Sequence, residues 1–156
     1  MSRLDLSSIA VLKGTDYPEP FAELVDGRSR QALGEAGALS QFGVNLVELQ
    51  PGAASSQRHW HSHEDEFVMM VSGELVLVTD DGETIMRAGD CAAFPAGKPN
   101  GHHLVNRSWG PGVFLCVGAH VQQDVTTYPD IDLRYDGASG AYTHEDGSPY
   151  PQRGDA

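Results

Sequence analysis

The sequence predicts an all-β fold, a sandwich or barrel of short strands, from three observations. Apolar runs of about 4–8 residues recur along the middle of the chain. Turn signals separate them at short intervals: Pro51-Gly52, Ser72-Gly73, Asp80-Asp81-Gly82, Ala88-Gly89-Asp90 and Pro95-Ala96-Gly97. No stretch between them carries a useful helical period. The 156 residues, 40% of them hydrophobic, suit a single domain, 1–156, with a hydrophobic core of its own.

Taken in order, residues 1–41 read as an N-terminal arm, irregular to about residue 36. Its Tyr17-Pro18-Glu19-Pro20-Phe21 segment is extended, because each proline disfavours helix before it. The run 27–37, GRSRQALGEAG, is too short and too glycine-flanked to predict a helix. The predicted core spans 42–119. Its first strand is 42–49, with Phe42, Val44, Leu46 and Glu48 on one face. If that face points inward, Glu48 is a buried carboxylate and a candidate acid or base. Strands follow at 66–71, 74–79, 83–87, 91–94, 102–106 and 113–118. Run 74–79 is apolar on both faces, as a strand covered on both sides would be. Residues 120–156, rich in Asp, Tyr, Gly and Pro, read as a C-terminal arm. It is expected to lie on the body with its tyrosines packed down, and to be disordered after about Tyr150.

One stretch carries chemistry: Arg58-His59-Trp60-His61-Ser62-His63-Glu64-Asp65-Glu66. Imidazole nitrogen and carboxylate oxygen at this density suit a divalent transition metal. In an extended strand His59 and His61 face one point and Trp60 faces away, so Trp60 reads as packing. Glu66 can return to that point from the next strand. Glu64 and Asp65 read as solvated loop charges, and Arg58 as a partner in a surface or interface salt bridge. A lone His-x-His could be merely solvated; a second cluster, Gly101-His102-His103-Leu104-Val105-Asn106, makes a shared site the stronger reading.

Net charge is −12, which argues against nucleic acid or an anionic membrane as a partner. No apolar run has signal-peptide or membrane-spanning length. Cys91 and Cys116 form no C-x-x-C pair, so both read as reduced, buried, small hydrophobes in a cytoplasmic protein. Phosphate loops, Ser-His-Asp order and zinc-finger spacing are absent from the sequence.

With both clusters in view the chain resembles the cupin superfamily, over roughly 42–119. Its first motif is matched by Gly52, His59, His61, Glu66 and Gly73, with four residues between His61 and Glu66 and six between Glu66 and Gly73. Its second is matched by Gly89, Pro95, Gly97, His102 and Asn106, with a lengthened gap of four residues before His102. The segments 98–103 and 128–133 look more narrowly like small bacterial single-domain (type-2) cupins.

The resemblance implies a double-stranded β-helix, the jelly-roll barrel, flanked by the two arms. It implies one divalent ion per chain (Zn, Fe, Mn or Ni) held by His59, His61, Glu66 and His102. The residues by themselves leave His103 open as the alternative to His102, and His63 to His61. Phe42, Val44, Leu46, Val68, Met70, Leu104 and Phe114 are candidate wall residues. Tyr142 and His144 could cover the barrel mouth. Asn106 reads as a turn or supporting residue, and Cys116 as a neighbour of the site at most.

Such a site suits a metal-dependent enzyme acting on a small organic molecule, by oxygenase, isomerase or lyase chemistry. The alternative is a non-catalytic module that binds a small ligand such as a sugar, with the metal structural or ligand-orienting. A homodimer is also expected, the arm before Phe42 being the element placed to reach across.

Overall fold

The computed structural model describes residues 3–151, so the expected disorder after Tyr150 falls mostly outside the described residues. Its regular structure is mostly β, and the strands pair antiparallel throughout. The strands are β1 (Leu12–Lys13), β2 (Arg28–Ala32), β3 (Phe42–Leu49), β4 (Trp60–His61), β5 (Glu66–Ser72), β6 (Glu74–Thr79) and β7 (Gly82–Arg87). They continue with β8 (Cys91–Phe94), β9 (His103–Val105), β10 (Gly112–Ala119), β11 (Val125–Tyr128), β12 (Leu133–Asp136) and β13 (Ala141–Thr143). A short α-helix, α1 (Leu33–Ala36), follows β2, and two 3-10 turns occupy Leu6–Ser8 and Glu23–Val25. Among the described residues no helix is long and apolar enough to cross a membrane.

Six strands form one sheet in the order β1-β2-β3-β10-β5-β8. Facing elements belong to a three-stranded sheet, β7-β6-β9, and a four-stranded sheet, β13-β12-β11-β4. Isolated bridges Ala54–Val105 and His59–His102 tie the segment before β4 to β9 and the residue preceding it. This is the jelly-roll arrangement, in which hairpin-linked strands alternate between two packed layers.

Registry explains which side chains go inside. β10 lies between β3 and β5, pairing Phe114 with Val47 and Met70, and Cys116 with Asn45 and Val68. Residues in one cross-strand row share a face. The inward rows therefore hold Val47, Leu49, Phe114, Val68 and Met70, which pack with Leu75, Met86 and Leu104 of the opposite layer. Leu49 and Leu75 are completely buried.

The expected inward face of β3 is thereby corrected. Gly43, Asn45 and Val47 line the interior, while Phe42 is 41% exposed and Val44 and Leu46 share its outward face. Both faces of 42–49 carry apolar residues, so alternation could not choose between them; pairing with β10 does. Glu48 lies on the outward side and accepts a hydrogen bond from Gln50 Nε2 at 2.7 Å, which removes it as a buried acid. Val68, Met70, Leu104 and Phe114 are interior, as expected.

The arms are more regular than their sequences suggest. β2 occupies part of the run read as irregular and pairs along β3, Arg28 opposite Leu49 and Arg30 opposite Val47. Polar side chains alternate at Arg28 and Arg30, so this strand lacks the apolar period by which strands are found. In the C-terminal arm β11 pairs with β4, setting Thr126 opposite His61. Its tyrosines build a second core rather than merely resting on the surface. Tyr128 and Leu133 are buried with Tyr17, Ala22 and Val25 of the N-terminal arm, and Tyr135, Tyr142 and Tyr150 pack around them.

Gly73 shows why a motif glycine sits in the β5–β6 turn. Its φ is +75°, and a Cβ there would lie 2.4 Å from the carbonyl oxygen of Pro111. Only glycine accepts both conditions without displacing the chain.

Leu49→Ala is expected to cost about 2–5 kcal/mol, because its side chain leaves a cavity in a closed core. Glu48→Gln, one residue away on the outer face, is expected to stay within about 0.5 kcal/mol of the parent. Urea unfolding of the two variants checks the orientation of β3; the reverse ranking would contradict it.

Candidate metal centre

The two layers leave between them an interior cavity of about 320 Å³. His59, His61, Glu66 and His102 all line it. Two come from the 59–61 segment, whose alternate residues face inward while Trp60 is not part of the wall. Glu66 opens β5 on the same inward row as Val68 and Met70. His102 is fixed across from His59 by two backbone hydrogen bonds, His59 N–H to His102 O at 3.1 Å and His102 N–H to His59 O at 2.8 Å.

The four side chains meet at one atom. His102 Nε2 lies 3.1 Å from Glu66 Oε2, and His59 Nε2 and His61 Nε2 each lie 3.7 Å from it. His59, His61 and Glu66 bring their ligand atoms within 4.8 Å of one another, a grouping that could hold a metal ion. The opposite nitrogens of two of the rings are committed elsewhere. His59 Nδ1 donates to Gln57 O at 2.9 Å, and His61 Nδ1 donates to Asp124 Oδ2 at 2.7 Å. Each arrangement leaves Nε2 as the free lone pair facing the centre. His102 is held differently: Phe94 stacks on it at 3.6 Å with parallel planes, and its buried Nδ1 has no hydrogen-bond partner among the described residues.

Electrostatics agree with a charged carboxylate here. Burial by itself raises the Glu66 pKa, but the hydrogen bond from His102 Nε2 and the neighbouring His59 imidazole hold it well below the usual carboxylate range. Burial pushes His102 below the ordinary imidazole range, against the pull of Glu66. The other Glu66 oxygen, Oε1, accepts from the Cys116 thiol at 3.1 Å. Burial and that neighbouring carboxylate raise the thiol pKa far above its usual value, so Cys116 is a protonated donor. It is a half-buried neighbour of the centre, while Cys91 is exposed, contrary to the expectation that both cysteines are buried.

The alternatives left by the sequence separate in space. His63 is exposed, with its Nδ1 near Ser62 Oγ at 2.8 Å. His103 also borders the cavity, its Nδ1 donating to Ser56 O at 2.9 Å, but the imidazole of this pair that meets Glu66 is that of His102. Glu64 is not simply solvated: it borders the cavity, and Val121 N–H donates to its Oε1 at 2.8 Å. Asp65 is exposed and caps the next turn, accepting from Ala96 N–H at 2.8 Å. Asn106 is completely buried and serves the turn, donating to Leu49 O and Gly110 O at 2.8 Å each. Arg58 bridges Asp80 and Asp130, as a surface ion pair would. Tyr142 and His144 do not reach this cavity: Tyr142 packs on Tyr17 and Tyr135, and His144 pairs with Asp132 and stacks on Tyr150.

Asp124, behind His61, and Arg28 and Arg30, on the cavity wall, escaped the sequence reading. Asp124 is 4% exposed, and besides His61 it accepts from the His63 N–H at 2.8 Å and from Ser62 Oγ at 3.2 Å. Burial pushes its pKa up, but the His61 contact and these donors hold it below the ordinary range. No local signal marks it in a tail crowded with aspartates. Arg28 and Arg30 project from β2 into the cavity wall. Their one trace in the sequence is the alternation Arg28-Ser29-Arg30, legible only once 28–32 is known to be a strand.

Comparison with known proteins follows the same outline. A cupin domain model matches residues 45–118. No curated protein matches the chain significantly. Among solved structures, a sugar phosphate isomerase of the cupin superfamily from Silicibacter pomeroyi is 54% identical. The match covers 96% of this chain and 97% of that one, with a TM-score of 0.91. A candidate sugar phosphate isomerase from Acidithiobacillus ferrooxidans is 28% identical over 83% of this chain and 78% of that one, with a TM-score of 0.67. The polyketide cyclase RemF from Streptomyces resistomycificus, 22% identical over 76% and 79% of the two chains with a TM-score of 0.59, shares the fold. With the β-sheet layers, the cavity and both sequence motifs in agreement with these matches, the chain belongs to the cupin superfamily.

Proposed function

We propose that this chain is a metal-dependent cupin enzyme of the isomerase type, acting on a small sugar phosphate in the interior cavity. His59, His61, Glu66 and His102 would hold one divalent ion. The observation that carries the reading is the convergence of three imidazole Nε2 atoms on Glu66 Oε2. The Nδ1 atoms of His59 and His61 are tied to Gln57 and Asp124, as ligand imidazoles require. The donor set, nitrogen with one carboxylate oxygen, fits zinc, iron, manganese or nickel. The isomerase assignment leans on the 54% identical protein from Silicibacter pomeroyi, and the cavity volume suits a ligand of sugar-phosphate size.

A divalent ion bound there supplies Lewis-acid polarisation of a substrate oxygen. The protein's own groups do the rest. Asp124 fixes the His61 tautomer, Cys116 turns Glu66 Oε2 toward the imidazoles, and Phe94 holds the His102 ring. Val68, Leu77, Leu104 and Phe114 form the apolar part of the wall and limit water there. Glu64, His103 and His120 also line the cavity and are the groups that can carry a proton between substrate atoms.

We also infer that the protein is a homodimer. Across the outer face of the large sheet run two apolar rows, Val44-Val117-Phe67-Ala93 and Leu46-Leu115-Met69-Cys91. Phe67 and Met69 are about two-fifths exposed, an unusual cost for an uncovered face. This face is the surface we assign to a second copy. Light scattering is expected to give twice the chain mass of 16.8 kDa. A monomer mass contradicts the dimer.

Protein purified without added metal is expected to contain about one divalent ion per chain by elemental analysis. Chelator should lower its melting temperature, and the His59→Ala/His61→Ala variant should lose the ion. Unchanged metal content in that variant overturns the ligand set. Turnover is read on aldose and ketose phosphates; metal without turnover on such a panel would favour a binding module instead.

Asp124→Asn tests the outer support of the site. It is expected to weaken metal affinity about 10–100-fold in a competition titration, while the fold persists by circular dichroism. Equal affinity in parent and variant would remove Asp124 from the metal centre.

A further inference from the structure

We infer that Arg28 and Arg30, side by side on β2, form the subsite that receives the phosphate group of the substrate. The inference rests on the reading of this cavity as a substrate site, and it adds the residues that would select a phosphorylated ligand. It begins with position. Arg28 pairs with Leu49 and Arg30 with Val47, both on the inward face of β3, so both guanidinium groups are delivered to the same cavity that holds the histidine cluster.

Partners come next. The chain has 22 Asp and Glu against 10 Lys and Arg, so a basic side chain readily finds a carboxylate. Arg58, Arg87 and Arg107 do so. Arg28 and Arg30 instead donate to neutral oxygens. Arg28 reaches Ser55 O at 2.7 Å and Gly14 O at 3.3 Å, and Arg30 reaches Asn45 Oδ1 at 3.0 Å. These contacts orient the two planar groups without neutralising them, and they leave other N–H donors of each guanidinium uncommitted. Both side chains are half-buried, so their mutual repulsion is poorly screened by water. Burial itself disfavours the Arg28 charge, the nearby Tyr17 offsets part of that, and Arg30 disfavours it further; Tyr142 and exposed Asp16 offer weaker attractions.

Two oriented cations with no carboxylate at ion-pair distance among the described residues, on the wall of a cavity in a strongly acidic protein, are an arrangement that a dianion stabilises. A phosphate monoester supplies that charge and several acceptor oxygens to match two forks of donors. Asn45, Ser55 and Ser56 line the same wall and offer neutral hydrogen-bonding groups around the anion. The cavity thus has two chemically distinct parts: a nitrogen and carboxylate cluster suited to a metal, and a cationic part suited to phosphate.

The test titrates inorganic phosphate, and separately acetate, into chelator-treated and metal-loaded protein, with metal content measured on every sample. Phosphate is expected to bind in both metal states, and acetate far more weakly. The Arg28→Gln/Arg30→Gln variant should bind phosphate at least about tenfold more weakly at unchanged metal content. Equal binding by parent and variant, or no binding by the chelator-treated parent, overturns the subsite. Metal absent from the parent with phosphate binding intact would instead strike the metal reading alone. Arginine modification by phenylglyoxal, read by mass spectrometry on the parent, needs no variant to fold. Phosphate should slow labelling of Arg28 and Arg30 and leave the exposed Arg134 unchanged. Equal labelling with and without phosphate overturns the proposal.

Discussion

The structure depends most on the charge of Glu66. A half-buried carboxylate between two sheet layers is costly unless its oxygens are met by donors or a cation. Here His102 Nε2 meets one oxygen and the Cys116 thiol the other, while the Nε2 lone pairs of His59 and His61 face the same point. To do so, four separate parts of the chain must arrive together: the 59–61 segment, the start of β5, the turn before β9 and the middle of β10. The same backbone pairings that build the layers deliver them. The His59–His102 bridge and the Glu66–Gly118 pairing are both fold contacts and site contacts.

That coupling extends into the arms. The C-terminal arm adds β11 beside β4 and so places Asp124 against His61. The N-terminal arm adds β2 beside β3 and so places Arg28 and Arg30 on the cavity wall. The two arms also share a buried cluster in which Tyr17 meets Tyr128 edge-on at a ring separation of 5.7 Å. The arms therefore finish the cavity chemically, one end supporting a histidine and the other supplying positive charge. One small cavity presents both a cationic wall and a carboxylate centre, which under the proposed function would orient a polar ligand rather than merely enclose it.

The strands and the four central residues were legible because they obey local rules. Turn glycines, short apolar runs and the period of two located β3, β5, β6, β7, β8 and β10 within a residue or two. His59, His61 and Glu66 stand out through residue type and spacing close to a strand start, and His102 through the second motif. β2 did not stand out, because its inward positions are arginines that face a polar cavity instead of a core. Nor did the inward face of β3, where Asn45 lies inside and Phe42 outside. In both cases the polar interior inverts the rule that apolar residues point in.

The sequence by itself determined the all-β class, the turn positions and the cluster of imidazoles with a carboxylate. Those follow from backbone preferences and side-chain chemistry that act over a few residues. Tertiary structure decided the rest: the face of β3, the choice of His102 over His103 opposite Glu66, the joining of Asp124 to His61 across 63 positions, and the turning of Arg28 and Arg30 inward. These are set by the register of one strand against another. A shift of one residue sends every side chain to the opposite face, so no local pattern can stand in for the pairing itself.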